Sequence, residues 1–206
     1  MKAVVMQLML AAVSALAQPP IVDNVTHEIL GAKAKYGLTN FKMVMPGVLY
    51  RGGTSVGKEG SPMRAASLEA LCNDGFGTAA YVYSQNWTGG SKTISCNNGQ
   101  LTYGMNLWND QNEVNDLLKK LKIMIDDGKG AMYVHCWYGV HASGFVVAAA
   151  LKQFCGLSDE QALVYWNSNV PKRIQYPKVQ EMVLRFRPDP ALNITAEQKA
   201  RVCPNL

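Results

Sequence analysis

A short strand-forming run, Ala131 to His135, leads through a glycine-bearing loop into the strongly apolar stretch Phe145 to Phe154, interrupted only by Lys152 and Gln153. This junction constrains the fold more tightly than anything else in the chain. The first run carries no charged residue, so it has to be covered on both faces, as a central strand with helices above and below is. The second is long enough and apolar enough to be a buried helix. Between them lie Cys136, Trp137, Tyr138, Gly139, Val140, His141, Ala142, Ser143 and Gly144. A strand that turns into a helix in this way aims several backbone N–H groups, and the positive end of a helix dipole, at one spot. That makes a seat for an anion without any side chain. A cysteine at the start of the loop has its thiolate stabilised by the same field, and thiolate is the nucleophilic form. Gly139 lets the backbone curl, and Ser143 is placed to hydrogen-bond the sulfur.

The rest of the chain alternates strands and helices around that junction. Phe41 to Gly53 reads as two short strands about a turn at Pro46-Gly47, followed by a Gly/Ser/Lys-rich loop, Gly52 to Ser61. Ser67 to Asn73 has helical spacing, Thr78 to Ser84 suits a buried strand, and Gln85 to Ser91 is a polar loop. Asn98-Gly99 signals a turn before a strand over Leu101 to Leu107. From Asn112 to Asp126, apolar Val114, Leu117, Leu118, Leu121 and Ile125 recur every three or four residues opposite lysines, which predicts an amphipathic helix. Ser158-Asp159-Glu160 caps a helix over Gln161 to Trp166, and Pro177 to Phe186 forms another. The pattern is that of one α/β domain, residues 41–206, with a mixed central sheet flanked by helices.

Residues 1–17 read as an address: Lys2, an apolar run, then Ala15-Leu16-Ala17 as a cleavage signal before Gln18-Pro19-Pro20. Gln7 and Ser14 interrupt that run, which falls short of the roughly 20 residues a membrane span needs. Residues 18–40 form a leader segment. The expected location is secreted or periplasmic, with the cut after Ala17 and no membrane span. The sequons at Asn24, Asn86 and Asn193 carry sugar only in a source that glycosylates its secreted proteins. The formal net charge is +5, but Lys and Arg are scattered, which argues for mild anion attraction and against a nucleic-acid partner. Five cysteines are an odd number for an oxidising compartment. With Cys136 set aside as a functional thiol, Cys72, Cys96, Cys155 and Cys203 allow three pairings or, for Cys72 and Cys155, plain burial. His27, His135 and His141 come without paired carboxylate spacing, so no metal is expected.

The segment from His135 to Gly144 resembles the His-Cys-x-x-Gly-x-x-Arg-Ser/Thr-Gly signature of the cysteine-dependent protein tyrosine and dual-specificity phosphatases, including their atypical, phytase-like and inositol-phosphatase members. His135, Cys136, Gly139, Ser143 and Gly144 fall in register, and Ala142 stands where the signature has arginine. Val44 to Gly52 is similar to the opening segment of atypical dual-specificity phosphatases. Leu107-Trp108-Asn109-Asp110 resembles the family's Trp-Pro-Asp loop, with Asn109 in place of proline. The likeness spans Phe41 to Phe186.

The resemblance implies the cysteine-phosphatase fold, no cofactor, and a phosphorylated small molecule or phosphopeptide as partner. Residues 137–143 would bind phosphate: Trp137, Tyr138, Gly139, Val140, His141, Ala142 and Ser143. Cys136 would attack phosphorus, Asp110 would protonate the leaving group, Ser143 would serve the sulfur, and His135 would buttress the loop and help keep the thiol ionised. Asp110 reads equally well as the N-cap of the helix that follows it. In the family the signature arginine grips two equatorial oxygens bidentately, which a methyl group cannot do. His141, Arg51, Lys172 and Arg173 are the candidates to supply the lost charge. Three functions are therefore expected in competition: a weak or atypical phosphomonoesterase, a pseudophosphatase that binds an anionic ligand or protein, and a rhodanese-like reactive-thiol protein.

Overall fold

The computed structural model describes residues 28–54, 62–171 and 176–204. The expected signal segment, residues 18–27 of the leader, the loop from Ser55 to Ser61, Lys172 and Arg173 lie outside the described residues. The elements run α1 (Ala32–Tyr36), β1 (Lys42–Met45), β2 (Leu49–Gly52), α2 (Ala65–Asn73), β3 (Thr78–Tyr81), β4 (Lys92–Cys96), β5 (Gly99–Met105), α3 (Gln111–Asp127), β6 (Met132–His135), α4 (Ala142–Ala150), α5 (Asp159–Ser168), α6 (Pro177–Arg185) and α7 (Ala196–Val202).

One mixed sheet organises them, in the order β1-β2-β6-β3-β5-β4. β6 sits in the middle, parallel to β2 on one side and to β3 on the other. Its four residues are all buried, as a strand covered on both faces must be. Val134, Ala80 and Leu49 belong to the core under α3, α4, α5 and α6. Tyr133, Ala79 and Tyr50 belong to the aromatic core under α1 and α2. The amphipathic stripe on α3 buries Val114, Leu117, Leu118, Leu121 and Ile125, the residues its periodicity marks. Ser158 and Gln161 close a reciprocal capping box at the start of α5.

Four features depart from the pattern read in the sequence. The leader expected over 18–40 contributes α1 and packs Ile29, Tyr36 and Leu38 into the aromatic core. Lys92–Cys96 pairs with β5 as an antiparallel hairpin at the sheet edge, a strand the sequence reading passes over. The helix expected over Phe145 to Phe154 begins earlier, at Ala142, and its last turn, Leu151–Cys155, widens into a π-helical turn before Gly156. The chain also ends in an additional short helix, α7.

The cysteines resolve into Cys72–Cys96 and Cys155–Cys203, with Cys136 unpaired. The first ties α2 to the edge hairpin and the second ties the C-terminal tail to the end of the π turn. The tail is also anchored by Val202, buried in the main core, by Arg201, which donates to the Ile125 carbonyl at 2.5 Å, and by Gln198, which donates to Asp126 at 2.9 Å. Replacing Cys155 and Cys203 together by alanine is therefore expected to lower unfolding free energy by about 2–4 kcal/mol, the usual value of closing a loop of this size. Urea titration checks this, and a loss below about 1 kcal/mol would show that the tail holds without its bridge.

Candidate active site

The loop after β6 is fixed from outside, carbonyl by carbonyl. Cys136 C=O faces the Nδ1 of His135 at 3.4 Å. Trp137 C=O accepts from the Thr54 amide at 3.0 Å, and Tyr138 C=O from Asn40 Nδ2 at 2.8 Å. Gly139 C=O accepts from Arg51 Nη2 at 2.6 Å, with Val140 C=O at 3.4 Å from the same nitrogen. His141 C=O accepts from Trp166 Nε1 at 3.2 Å and from the Phe145 amide at 2.9 Å. In a trans peptide the C=O of one residue and the N–H of the next point in opposite directions. Six carbonyls turned toward the protein thus turn the amides that follow them away from it, except that of Gly139, which the bridge between Gly53 and Tyr138 sets against Gly52.

Cys136 lies at the base of this loop, 3% exposed, its Sγ 3.3 Å from Ser143 Oγ in the first turn of α4. Its own amide donates to Gly52 C=O at 3.3 Å. The close fit of the loop on the end of β2 depends on missing side chains. Gly139 has φ 70°, and a Cβ there would overlap the backbone of Gly52 and Gly53. A Cβ on Gly53 would lie 2.7 Å from the Trp137 carbonyl.

His135 is fully buried among rings, stacked between Tyr81 and Tyr133 at centroid distances of 5.0 and 5.8 Å. The Met63 amide donates to Tyr103 Oη at 2.8 Å, and Tyr103 Oη lies 2.9 Å from His135 Nε2. Burial drives the imidazole pKa down to about 3, so the ring is neutral near pH 7. It buttresses the loop as expected of it, but it brings no positive charge to the thiol. His141 is also held from protonating, first by burial and then by the Arg51 charge. Its ring packs on Tyr176 at 3.9 Å, and its Nε2 is buried with no partner.

Asp110 is the N-cap of α3. Its carboxylate accepts from the amides of Asn112 at 2.9 Å and Glu113 at 3.3 Å, the second of its two sequence readings. The neighbouring Trp108 stands at the site's flank, 6.4 Å from the Tyr83 ring and 6.2 Å from Phe145. Tyr83 in turn lies 5.2 Å from Trp137, giving an aromatic wall beside the loop. Burial, then the neighbouring Cys136, raise the Tyr83 pKa to about 12, so its hydroxyl remains a neutral donor.

Ala142 is completely buried at the first position of α4. Arg51, one of the candidates for the missing charge, proves to be buried as well, 1% exposed, under the loop. Thr54, Asn40, Trp166 and Tyr103 hold the loop without any sequence signal: each is far from Cys136 along the chain and finds the loop only through the sheet. Among the described residues no group of three or more His, Cys, Asp or Glu is placed to hold a metal ion, and no helix is long and apolar enough to cross a membrane.

No protein-family model matches this chain, and no curated protein does. Among solved structures it is similar to Tk-PTP in its active form, at 18% identity over 66% of this chain and 89% of that one, with a TM-score of 0.44. It is similar too to human DUSP28, at 16% identity over 73% of this chain and 92% of that one, with a TM-score of 0.47.

Proposed function

We propose that this chain is an exported, phosphatase-like protein that seats a phosphomonoester on the 136–144 loop and hydrolyses it slowly through Cys136. The observation that carries this reading is the single free thiol beside Ser143 under a loop whose carbonyls are all tied outward. In the first step the Cys136 thiolate forms an S–P bond while the P–O bond to the leaving group breaks, and the departing oxygen takes a proton from Asp110. In the second, water gives a proton back to the Asp110 carboxylate and forms a P–O bond, the S–P bond breaks, and thiolate returns as inorganic phosphate leaves. Ser143 supports the sulfur in both.

Both capping bonds fall on Asp110 Oδ1, which leaves Oδ2 to carry the proton of a general acid. Ala142 offers no grip on the equatorial oxygens, which slows turnover. The same feature supports a second reading, in which the loop binds a phosphorylated ligand without turning it over. Export is supported by the two disulfides, which leave only the site cysteine reduced.

Turnover of a small aryl phosphate by the native chain and by Cys136→Ser tests the first reading. Slow hydrolysis by the native chain is expected to fall to the uncatalysed background in the variant. Equal activity in both would remove Cys136 from the chemistry. No turnover in either, with tungstate still bound, would leave the binding reading.

A further inference from the structure

Among the described residues two cations are buried, Lys152 and Arg51, and they are treated differently. Lys152, in the π turn, is paired with Asp159 at 2.7 Å and also donates to the carbonyls of Val183 and Phe186 at 2.9 and 2.7 Å. Every proton it carries has a partner, and one partner is an anion, as a purely structural buried charge requires. Arg51 has no such arrangement. Its Nη2 meets the carbonyls of Gly139 and Val140, the Tyr165 hydroxyl hydrogen-bonds the guanidinium, Nε and Nη1 are buried without a carbonyl or carboxylate partner, and no carboxylate pairs with Arg51 among the described residues. Its place is the core side of β2, whose Arg51 is in register with Val134 of β6. Gly144 makes room for it: a Cβ there would lie 3.4 Å from Arg51 Nη1 and 3.2 Å from the Trp166 ring.

A guanidinium left without an anion inside a fold costs several kcal/mol unless an anion arrives nearby. The loop that Arg51 touches is built to take one. We propose that Arg51 is the cation of this site, doing from behind the loop part of what an arginine at position 142 would do from within it. It is a positioning residue: it holds two peptide units with their amides turned toward the anion seat, and adds positive potential to the thiolate and to bound phosphate. This inference rests on the phosphate-loop reading above. The groups that face the pair are few. Tyr81, Tyr83 and Tyr133 surround the thiol, and their raised pKa values keep them neutral. Neutral His135 abuts it along the chain. Lys42, His141, Tyr133 and Tyr165 face the guanidinium. Of these, Lys42 is drawn off to Asn169 at 2.9 Å. Of the nearby carboxylates, Glu28 lies against Lys42 and Asp110 is held by the α3 amides, so the positive potential at the seat is set chiefly by Arg51 and the α4 dipole.

The test compares the native chain with Arg51→Gln and Arg51→Lys, reading the pH profile of Cys136 alkylation by iodoacetamide and the Kd for tungstate. Arg51→Gln is expected to move the alkylation midpoint up by about one pH unit or more and to weaken tungstate binding by ~10-fold or more. Arg51→Lys, which keeps charge and loses the fork, falls between. Folded variants with native midpoints and native Kd, whatever their melting temperatures, would overturn the proposal, because a residue that only packs moves stability alone. Should neither variant fold, the native protein decides. With ¹⁵N-arginine labelling, the slowly exchanging Nε–H of the buried Arg51 is expected to shift on adding tungstate, and an unmoved signal at saturation would overturn it. Failure of hydrolysis with these readouts intact counts against turnover and not against Arg51.

Discussion

Ala142→Arg is expected to raise kcat/KM toward a small aryl phosphate by about 10²–10³-fold, the usual value of one preorganised donor to developing oxyanion charge. The gain has a structural cost. Position 142 opens α4 with no exposed surface, so a long side chain there has to displace neighbours, and overpacking of this kind costs roughly 1–3 kcal/mol. Arg51 already places a guanidinium on the far side of the same loop, and two like charges share one anion. The rate gain should therefore be larger in Arg51→Gln than in the native background, since the two arginines partly replace one another. A four-member cycle, native, each single variant and the double, measures this in kcat/KM, with urea titration to separate loss of fold from loss of function. No gain at position 142 in either background would mean that phosphoryl transfer is not what the loop does.

The junction from β6 to α4 was legible in the sequence because two independent signals meet there. A four-residue apolar run can only be a central strand when an equally apolar helix follows it closely, and the spacing of His135, Cys136, Gly139, Ser143 and Gly144 leaves little freedom for the loop between. The α3 stripe and the Ser158 cap were legible for the usual local reasons. What stayed hidden was set by distance along the chain. The pairing of Cys72 with Cys96 and Cys155 with Cys203 depends on Cα separations of 6.0 and 5.6 Å that only the packed sheet creates. β4 escaped notice because it is an edge strand with mostly exposed side chains, so no buried face imposes alternation.

Arg51 is the instructive case. An isolated arginine next to two glycines reads as a surface charge. Yet Leu49–Gly52 is a strand flanked on both sides, buried along its whole length, so the sequence did contain an inconsistency between residue type and element. Such conflicts between local chemistry and burial tend to fall at functional sites. Asp110 shows the opposite limit: one residue fitted two roles in sequence, and the structure commits its Oδ1 to α3.

Gly139→Ala is expected to destroy the site and to cost at least about 3 kcal/mol of stability. Two effects combine. A non-glycine residue held at positive φ costs about 1–3 kcal/mol by itself. At Gly139 the new methyl also has nowhere to go, because it overlaps the backbone of Gly52 and Gly53, which cannot rotate away as a side chain can. Relief requires the loop to lift off β2, breaking the bonds from Cys136 N–H to Gly52 C=O and from Thr54 N–H to Trp137 C=O, and with them the outward pull on the first two peptide units. Gly47→Ala supplies the internal control: φ there is 72°, nearly the same, but nothing lies within 4 Å of the added carbon. Gly47→Ala should cost only the conformational strain and leave tungstate affinity and Cys136 reactivity unchanged. The difference between the two variants isolates the steric contact of loop on strand. If both lose the same stability and both keep tungstate affinity, the loop does not depend on its seat against Gly52 and Gly53, and the outward-held carbonyls cannot be what shapes the anion site.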